Sequence, residues 1–213
     1  IKEGSMILDI GCSSGNFGEI IINEKHCIVD GIEIDNNDFN DAKKKLRNVY
    51  KLDIEADDLS VINNKYDYVY FGDVIEHLKD PVTALKRVQK LLKNNGQIIF
   101  SIPNMAHLSV RLMLLQGKLE YGETGLLDKT HLHLYTHDEV QRVFSEAGYR
   151  ITKLDPVMKD FPIEVVEKEL NKIGLKSSKK FVEFTRNTDA SVYQYVGMAK
   201  PSTGMKSIKL KIS

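Results

Sequence analysis

The sequence predicts an α/β fold, a doubly wound sheet of seven strands with helices on both faces and an insertion after the fifth strand. Three observations carry this. Apolar strand-like runs alternate with helix-like segments through most of the chain, which is the pattern of a parallel sheet flanked by helices. A glycine-rich turn, Gly11 to Gly15, follows the first run and leads into a helix. Acidic residues then sit at or just after the ends of the runs: Asp9 two residues before Gly11, Glu33 at the second, Asp53 after the third and Asp73 after the fourth.

Met6–Ile10 is the first strand, and Phe17, Ile20 and Ile21 recur at helical spacing after it. Cys27–Ile34 is the second strand. Asp41–Arg47 reads as the end of a helix with Ala42 and Leu46 inward, and Val49–Leu52 as a short third strand. Tyr66–Phe71 alternates and is the fourth. Asp80 is a natural N-cap with Pro81 at the first helical position, and Val82, Leu85, Val88 and Leu92 form one apolar stripe ending before Asn94-Asn95-Gly96. Gln97–Ile102 is the fifth strand, stopped by Pro103. Thr136 to Gly148 reads as a helix opened by a Thr136/Glu139 capping box, with Val140, Val143, Phe144 and Ala147 inward and Gly148 as its stop. Arg150–Leu154 and Ser191–Ala199 supply the last two strands.

Residues 104–133 break the alternation over roughly thirty positions, longer than most connections in compact domains and typical of segments that carry specificity. Leu108, Leu112 and Leu115 suggest a helix there, followed by a loop from Gly117 to Gly125. Residues 1–200 read as one domain and 201–213, rich in Lys and Ser, as a tail or linker. The first strand begins almost at Ile1, so the reading leaves room for an additional domain in a longer chain.

Composition narrows the function. Among 213 residues, 30 Lys+Arg balance 30 Asp+Glu, so no global charge draws the protein to nucleic acid or an anionic membrane. Two cysteines make no disulfide framework, and no apolar run approaches the length of a membrane helix. The expectation is a cytoplasmic protein without nucleic-acid partner or membrane insertion.

In a doubly wound sheet, residues just beyond the carboxyl ends of parallel strands converge on one crevice. The strand-to-helix turn lets a ligand approach the backbone and presents helix N-terminal amides to it. Four carboxylates there could meet an ammonium, two ribose hydroxyls and an exocyclic amine; the competing reading is that each merely caps a turn or helix. A dinucleotide fingerprint would need glycine at position 13, where the chain has serine.

Residues 7–15 (ILDIGCSSG), Gly31-Ile32-Glu33-Ile34-Asp35, Asp67-Tyr68-Val69 and residues 73–78 (DVIEHL) together resemble the successive motifs of class I S-adenosylmethionine-dependent methyltransferases, over about residues 5–155. The resemblance implies S-adenosylmethionine as cofactor and a Rossmann-like methyltransferase fold, a doubly wound seven-stranded mixed sheet whose antiparallel seventh strand Ser191–Ala199 is well placed to supply. It places Gly11, Ser13 and Gly15 against the methionine part, Asp9 near its ammonium through water or the loop backbone, Glu33 at the ribose hydroxyls, Asp53 and Ile54 at the adenine, and Asp73 beside the methionine end, with Ile34 among the cofactor-binding residues. Ser13-Ser14 depart from the family's usual glycine and small residue. Ile102-Pro103-Asn104 and residues 123–136 (ETGLLDKTHLHLYT) are similar to bacterial methyltransferases of sugar and polysaccharide biosynthesis, which implies a small-molecule or saccharide acceptor.

Methyl transfer is an in-line displacement from an activated sulfonium, so the protein's main task is placement. A hydroxyl acceptor benefits from a base, and His131 and His77 are the candidate catalytic residues. The bland alternative for His131 is a hydrogen-bonded residue that ties the insertion down. Asp73, Glu76, His77 and His131 also resemble an acidic-x-x-Glu-His plus distant His arrangement that binds a divalent ion in some small-RNA 2′-O-methyltransferases. The competing reading there is ordinary polar residues at a helix start, and use of a metal stays open. Two other functions share the architecture: a nicotinamide-dependent oxidoreductase, disfavoured by Ser13, and a non-catalytic cofactor-binding module.

Overall fold

The computed structural model describes residues 1–159, 162–186 and 188–202. Seven strands, β1 (Met6–Ile10), β2 (Ile28–Ile32), β3 (Asn48–Tyr50), β4 (Tyr66–Gly72), β5 (Leu92–Pro103), β6 (Tyr149–Met158) and β7 (Val192–Pro201), form one sheet in the order β3-β2-β1-β4-β5-β7-β6. Strands β1 to β5 pair in parallel, and β7 enters antiparallel between β5 and β6. The strand order reverses between β1 and β4, which opens a crevice at their carboxyl ends.

Strand alternation divides the core. Leu8, Ile10, Val69, Phe71, Ile98 and Phe100 face one side, where α3 (Pro81–Val88) and α5 (His137–Glu146) cover them with Leu85, Val88, Val140 and Phe144. Ile7, Val29, Tyr68 and Ile99 face the other, against Ile21 of α1 (Asn16–Lys25) and Ala42 of α2 (Asn36–Ala42). At the opposite end from the crevice, fully buried Asp30 accepts hydrogen bonds from Arg47, Asn48 and the Tyr66 hydroxyl, a satisfied polar cluster that ties β2 to β4.

Local signals succeed where their partners are local. Asp80 caps α3 by accepting the Thr83 N–H at 3.0 Å, and Pro81 occupies the first turn. Elsewhere tertiary contacts win. The second helix stops at Ala42 rather than running to Arg47, because Arg47 donates its backbone N–H to Val29 and turns the chain toward β3, though Ala42 and Leu46 do point inward. Leu92 belongs to β5, not to the α3 stripe. Asn94, Asn95 and Gly96 bulge within that strand, between the pairings Tyr66–Leu92 and Tyr68–Gln97, instead of ending a helix. Thr136 makes no side-chain cap, and the Glu139 carboxylate that would complete a capping box pairs with Arg142 instead, at 2.7 Å. Helix α4 (Leu108–Leu115) forms in the insertion with Leu108 and Leu112 buried, but Leu115 is 54% exposed and Val110 faces inward in its place.

Two helices lie between β6 and β7 that periodicity did not bring out, α6 (Ile163–Asn171) and α7 (Lys179–Arg186). Val166 and Leu170 of α6 pack on Leu108 and Leu112, so this connection and the β5 insertion form one cap beside the crevice. Pro201 ends β7, and residues 203–213 of the expected tail lie outside the described residues.

Candidate active site

Backbone hydrogen bonds continue the sheet ladder past the strand ends and hold the crevice loops in place. Cys12 donates its N–H to Ile32, and Glu33 to Tyr50. Gly11 (φ +65°) and Gly15 (φ +77°) take left-handed conformations in the first loop. A Cβ at Gly11 would sit 2.9 Å from Val74, so this loop lies directly on the segment that leaves β4.

Ser13 adopts φ +46°, a conformation that glycine takes freely and serine at a cost of about 1 kcal/mol. It is held there by two carboxylates. Its N–H donates to Glu33 Oε2 at 2.8 Å and its hydroxyl to Asp38 Oδ2 at 3.0 Å. The departure from the family pattern at this position is therefore accommodated by local hydrogen bonding. Glu33 also accepts the N–H groups of Ile34 at 2.7 Å and Asp35 at 2.8 Å, so one buried carboxylate organises the ends of both β1 and β2.

Asp9 is buried on β1, and burial above all, with the Glu33 charge next, pushes its carboxyl up to about 8. Ile34 is 63% exposed at the rim, an apolar side chain presented to solvent beside Glu33, whereas Ile54 is buried. Asp53 accepts the Glu55 N–H and shapes its own loop. Asp73 (φ +54°) accepts from the Ser101 hydroxyl at 2.9 Å and from Gln194 of β7. Ser101 and Gln194 are positioning partners that only the folded sheet reveals, because they lie far from Asp73 in sequence.

The expected histidines do come together. The rings of His77 and His131 meet edge to face with centroids 4.8 Å apart. His77 lies three residues after Val74, in the segment that leaves β4. The insertion is zipped to this turn, since Leu132 and His133 both donate backbone N–H groups to the Glu76 carbonyl. His131 Nδ1 donates to the Leu126 carbonyl at 3.1 Å, and His77 Nδ1 to the Thr130 carbonyl at 3.2 Å. Both partners are carbonyl acceptors, so each Nδ1 carries a proton. Burial holds the His131 imidazole below its ordinary value. His133 turns away toward the Lys79 carbonyl, and the Tyr135 hydroxyl is buried without a hydrogen-bond partner among the described residues.

Glu76 is the residue whose environment sequence reasoning did not anticipate. It is 0% exposed, neither carboxylate oxygen has a hydrogen-bond partner among the described residues, and burial pushes its carboxyl up to about 8. Its donor atoms and those of His77 and His131 lie within 4.8 Å of one another. Asp73 is not part of that convergent group.

A family model described as a methyltransferase domain matches residues 1–154. The ubiquinone biosynthesis O-methyltransferase of Neisseria meningitidis is 28% identical over 107 residues, which cover 47% of this chain and 45% of that protein. This chain thus spans less than half the length of that relative. The demethylmenaquinone methyltransferase of Staphylococcus aureus is 25% identical over 167 residues, 70% of this chain and 69% of that protein. Among solved structures, a SAM-dependent methyltransferase from Archaeoglobus fulgidus aligns with a TM-score of 0.63 and 21% identity, covering 92% of this chain and 85% of that one. The plantazolicin methyltransferase in complex with SAH aligns at 0.60 with 18% identity, covering 92% and 76%. The [4+2]-cyclase SpnF aligns at 0.63 with 14% identity, covering 96% and 78%, so the fold by itself does not choose the reaction.

Proposed function

The chain belongs to the methyltransferase domain family, and on that premise we propose that it transfers the methyl group of S-adenosylmethionine to a hydroxyl of a small molecule or sugar. The observation that carries the hydroxyl is the pair of imidazoles, His77 and His131, each tethered through Nδ1 and meeting edge to face where the insertion closes on the turn after β4. The acceptor oxygen attacks the methyl carbon as the carbon–sulfur bond breaks, the sulfonium leaves as a neutral thioether, and the hydroxyl proton must go elsewhere. An amine or thiolate acceptor has less need of such a proton acceptor.

In this reading the Gly11–Gly15 loop and Asp9 receive the methionine end with Asp73, Glu33 and exposed Ile34 receive the ribose, and Asp53 and Ile54 border the adenine. The acceptor enters from the cap formed by α4 and residues 117–133. A sugar is one acceptor that fits the sequence resemblance; the Neisseria relative is by its name an O-methyltransferase of ubiquinone biosynthesis, which favours small-molecule hydroxyls more broadly, whereas the name of the Staphylococcus relative does not specify an oxygen acceptor. The exposed, apolar Ile34 also suits a nucleoside edge better than a protein interface of its own.

Transfer of labelled methyl from S-adenosylmethionine to a panel of phenols, catechols and sugars tests this directly. His131→Ala should lower kcat about 100-fold or more with cofactor affinity kept within a few-fold. Label recovered only on nitrogen, carbon or sulfur would overturn the hydroxyl assignment.

Asp9 makes the cofactor step pH-dependent. Its carboxyl is raised from 3.8 to about 8, so at neutral pH the folded protein holds a proton that the unfolded chain has lost. Its contribution to stability is thus greatest at low pH and falls away as pH rises through about 8. A bound ammonium favours the ionised carboxylate, so cofactor binding at pH 6.5 should release a proton, and affinity should climb with pH. Calorimetry in two buffers of different ionisation enthalpy measures this, and Asp9→Asn should abolish the release. Equal proton counts in both proteins would contradict the placement of Asp9.

A further inference from the structure

Lys65, Arg87 and Lys90 gather around a cavity of about 450 Å³ at the end of the sheet where β4 and β5 begin, away from the crevice. We propose that this cavity binds a small organic anion, an apolar body bearing one carboxylate or phosphate, and that the bound anion strengthens the binding of S-adenosylmethionine.

Shape and charge both point to that ligand. The volume falls within the range of about 300–1,000 Å³ usual for small-molecule sites. Leu59, Ile62 and Leu91 belong to the buried core and also line the cavity, so its floor is apolar. The three cations face one lining carboxylate, Asp58, which its own turn already engages: it accepts the Ser60 N–H at 2.9 Å and the Ser60 hydroxyl at 2.5 Å. Lys65 donates to the Lys90 carbonyl, and Arg87 to the carbonyls of Glu55 and Asp57, so their hydrogen bonds end on neutral oxygens. The neighbouring Lys93, by contrast, closes on Asp67 at 2.7 Å. In a chain whose charges balance overall, the cavity therefore carries a local positive excess. Exposed lysines alone hold an inorganic anion weakly, and a neutral molecule gains nothing from them, so the ligand needs both parts.

Arg87 links the cavity to the cofactor side. The connection from β3 to β4 starts at the crevice with Asp53 and Ile54 and reaches the cavity with Leu59 to Lys65. Its first turn is held by the Asp57 carboxylate, which accepts the Asp53 N–H at 2.8 Å, and by the Glu55 carboxylate, which accepts the N–H groups of Lys79 and Asp80 at 3.1 and 2.7 Å. Arg87 grips the same turn through Nη1 and Nη2. A guanidinium has five N–H groups, so it can receive an anion without releasing either carbonyl. An anion on Arg87 thus fixes the turn that borders the adenine, and by linkage anion and cofactor raise each other's affinity by the same factor. The coupling rests on the placement of Asp53 and Ile54 at the adenine; the cavity and its charge do not.

The test uses the 213-residue chain with 1-naphthyl phosphate and 1-naphthoate as probes, and with 1-naphthol and inorganic phosphate as the apolar and anionic parts alone, each followed by titration calorimetry. The expected result is one equivalent of either probe per chain, with both separate parts about 10-fold weaker or more, and S-adenosylmethionine bound about 5-fold more tightly at saturating probe. The tighter of the two probes identifies the anionic group. Lys65→Glu and Lys90→Glu change exposed side chains and should each weaken the probe about 10-fold. Both should keep cofactor affinity without probe within about two-fold, which also establishes that they are folded. No uptake by the unmodified chain, uptake unchanged in both variants, or displacement of the probe by S-adenosylmethionine would overturn the site. Inorganic phosphate bound as tightly as the probes would overturn the apolar part of the ligand. Uptake that leaves cofactor affinity unchanged would overturn the coupling. A chain that takes up the probe but no S-adenosylmethionine would count against the cofactor placement and leave the cavity site standing.

Discussion

Glu33→Ala is expected to weaken S-adenosylmethionine binding by at least 100-fold and to lower stability by about 2–4 kcal/mol, less than the sum of three hydrogen bonds to a charged group at about 1.5–3 kcal/mol each, because the freed N–H groups at the crevice take up water in part. The Glu33 carboxylate holds the N–H groups of Ser13, Ile34 and Asp35, and so fixes the loop after β1 to the end of β2. Without it Ser13 has less reason to remain at φ +46°, and the cofactor loses both its proposed ribose partner and the loop's shape. Glu33→Gln should fall between, since an amide keeps an acceptor for one side of the fork and turns a donor toward the other. Titration calorimetry and urea unfolding on the same samples separate the two effects. An affinity within two-fold of the unmodified chain in Glu33→Ala would remove Glu33 from the cofactor site.

Gly197→Ala is expected to cost about 2–4 kcal/mol, a large effect for one methyl group, through overpacking of a filled core. A Cβ on Gly197 would lie 2.3 Å from Phe100 Cζ and under 3.0 Å from two further ring atoms. Phe100 is fully buried and stacks on Phe144 of α5 with centroids 4.2 Å apart, so the ring cannot move without disturbing the helix that covers this side of the sheet. Combining Gly197→Ala with Phe100→Leu should restore part of the loss, and a double-mutant cycle by denaturant unfolding measures the coupling. Additive costs would mean that the contact is not what penalises alanine.

The parallel half of the sheet is legible in the sequence because its strands are short apolar runs that alternate with helices over short distances, and its strand-end carboxylates follow from that register. Glu33 and Asp9 stand where spacing alone put them, at the ends of β2 and β1. The errors arise where a side chain had a choice of partner. Glu139 takes Arg142 in preference to a capping box, and Asn94-Asn95-Gly96 bulges within β5 because Tyr66 and Tyr68 of β4 pair on either side of it. Helix α6 had a usable signal in Ile163, Val166 and Leu170, whose spacing is helical, but its partner surface on α4 lies more than fifty residues earlier.

The same contrast divides the site. Spacing points to His77 and His131 as residue types suited to the chemistry, whereas their convergence depends on the backbone bonds from Leu132 and His133 to Glu76. That the Glu76 carboxylate is buried without a hydrogen-bond partner among the described residues is a property of the folded insertion and has no local sequence signature. Ser101 and Gln194 around Asp73 are likewise brought in by β5 and β7.

The central claim is that the loop after β1 and the His77–His131 pair serve a single reaction. A crystal structure of the chain with S-adenosylhomocysteine tests it most directly. The account predicts the amino-acid end beside Gly11 and Asp9, the ribose at Glu33, and the sulfur aimed so that an acceptor oxygen about 3–3.5 Å from the departed methyl position would lie beside the two imidazoles. A sulfur directed away from His77 and His131, or a ligand seated outside the β1–β4 crevice, would contradict it.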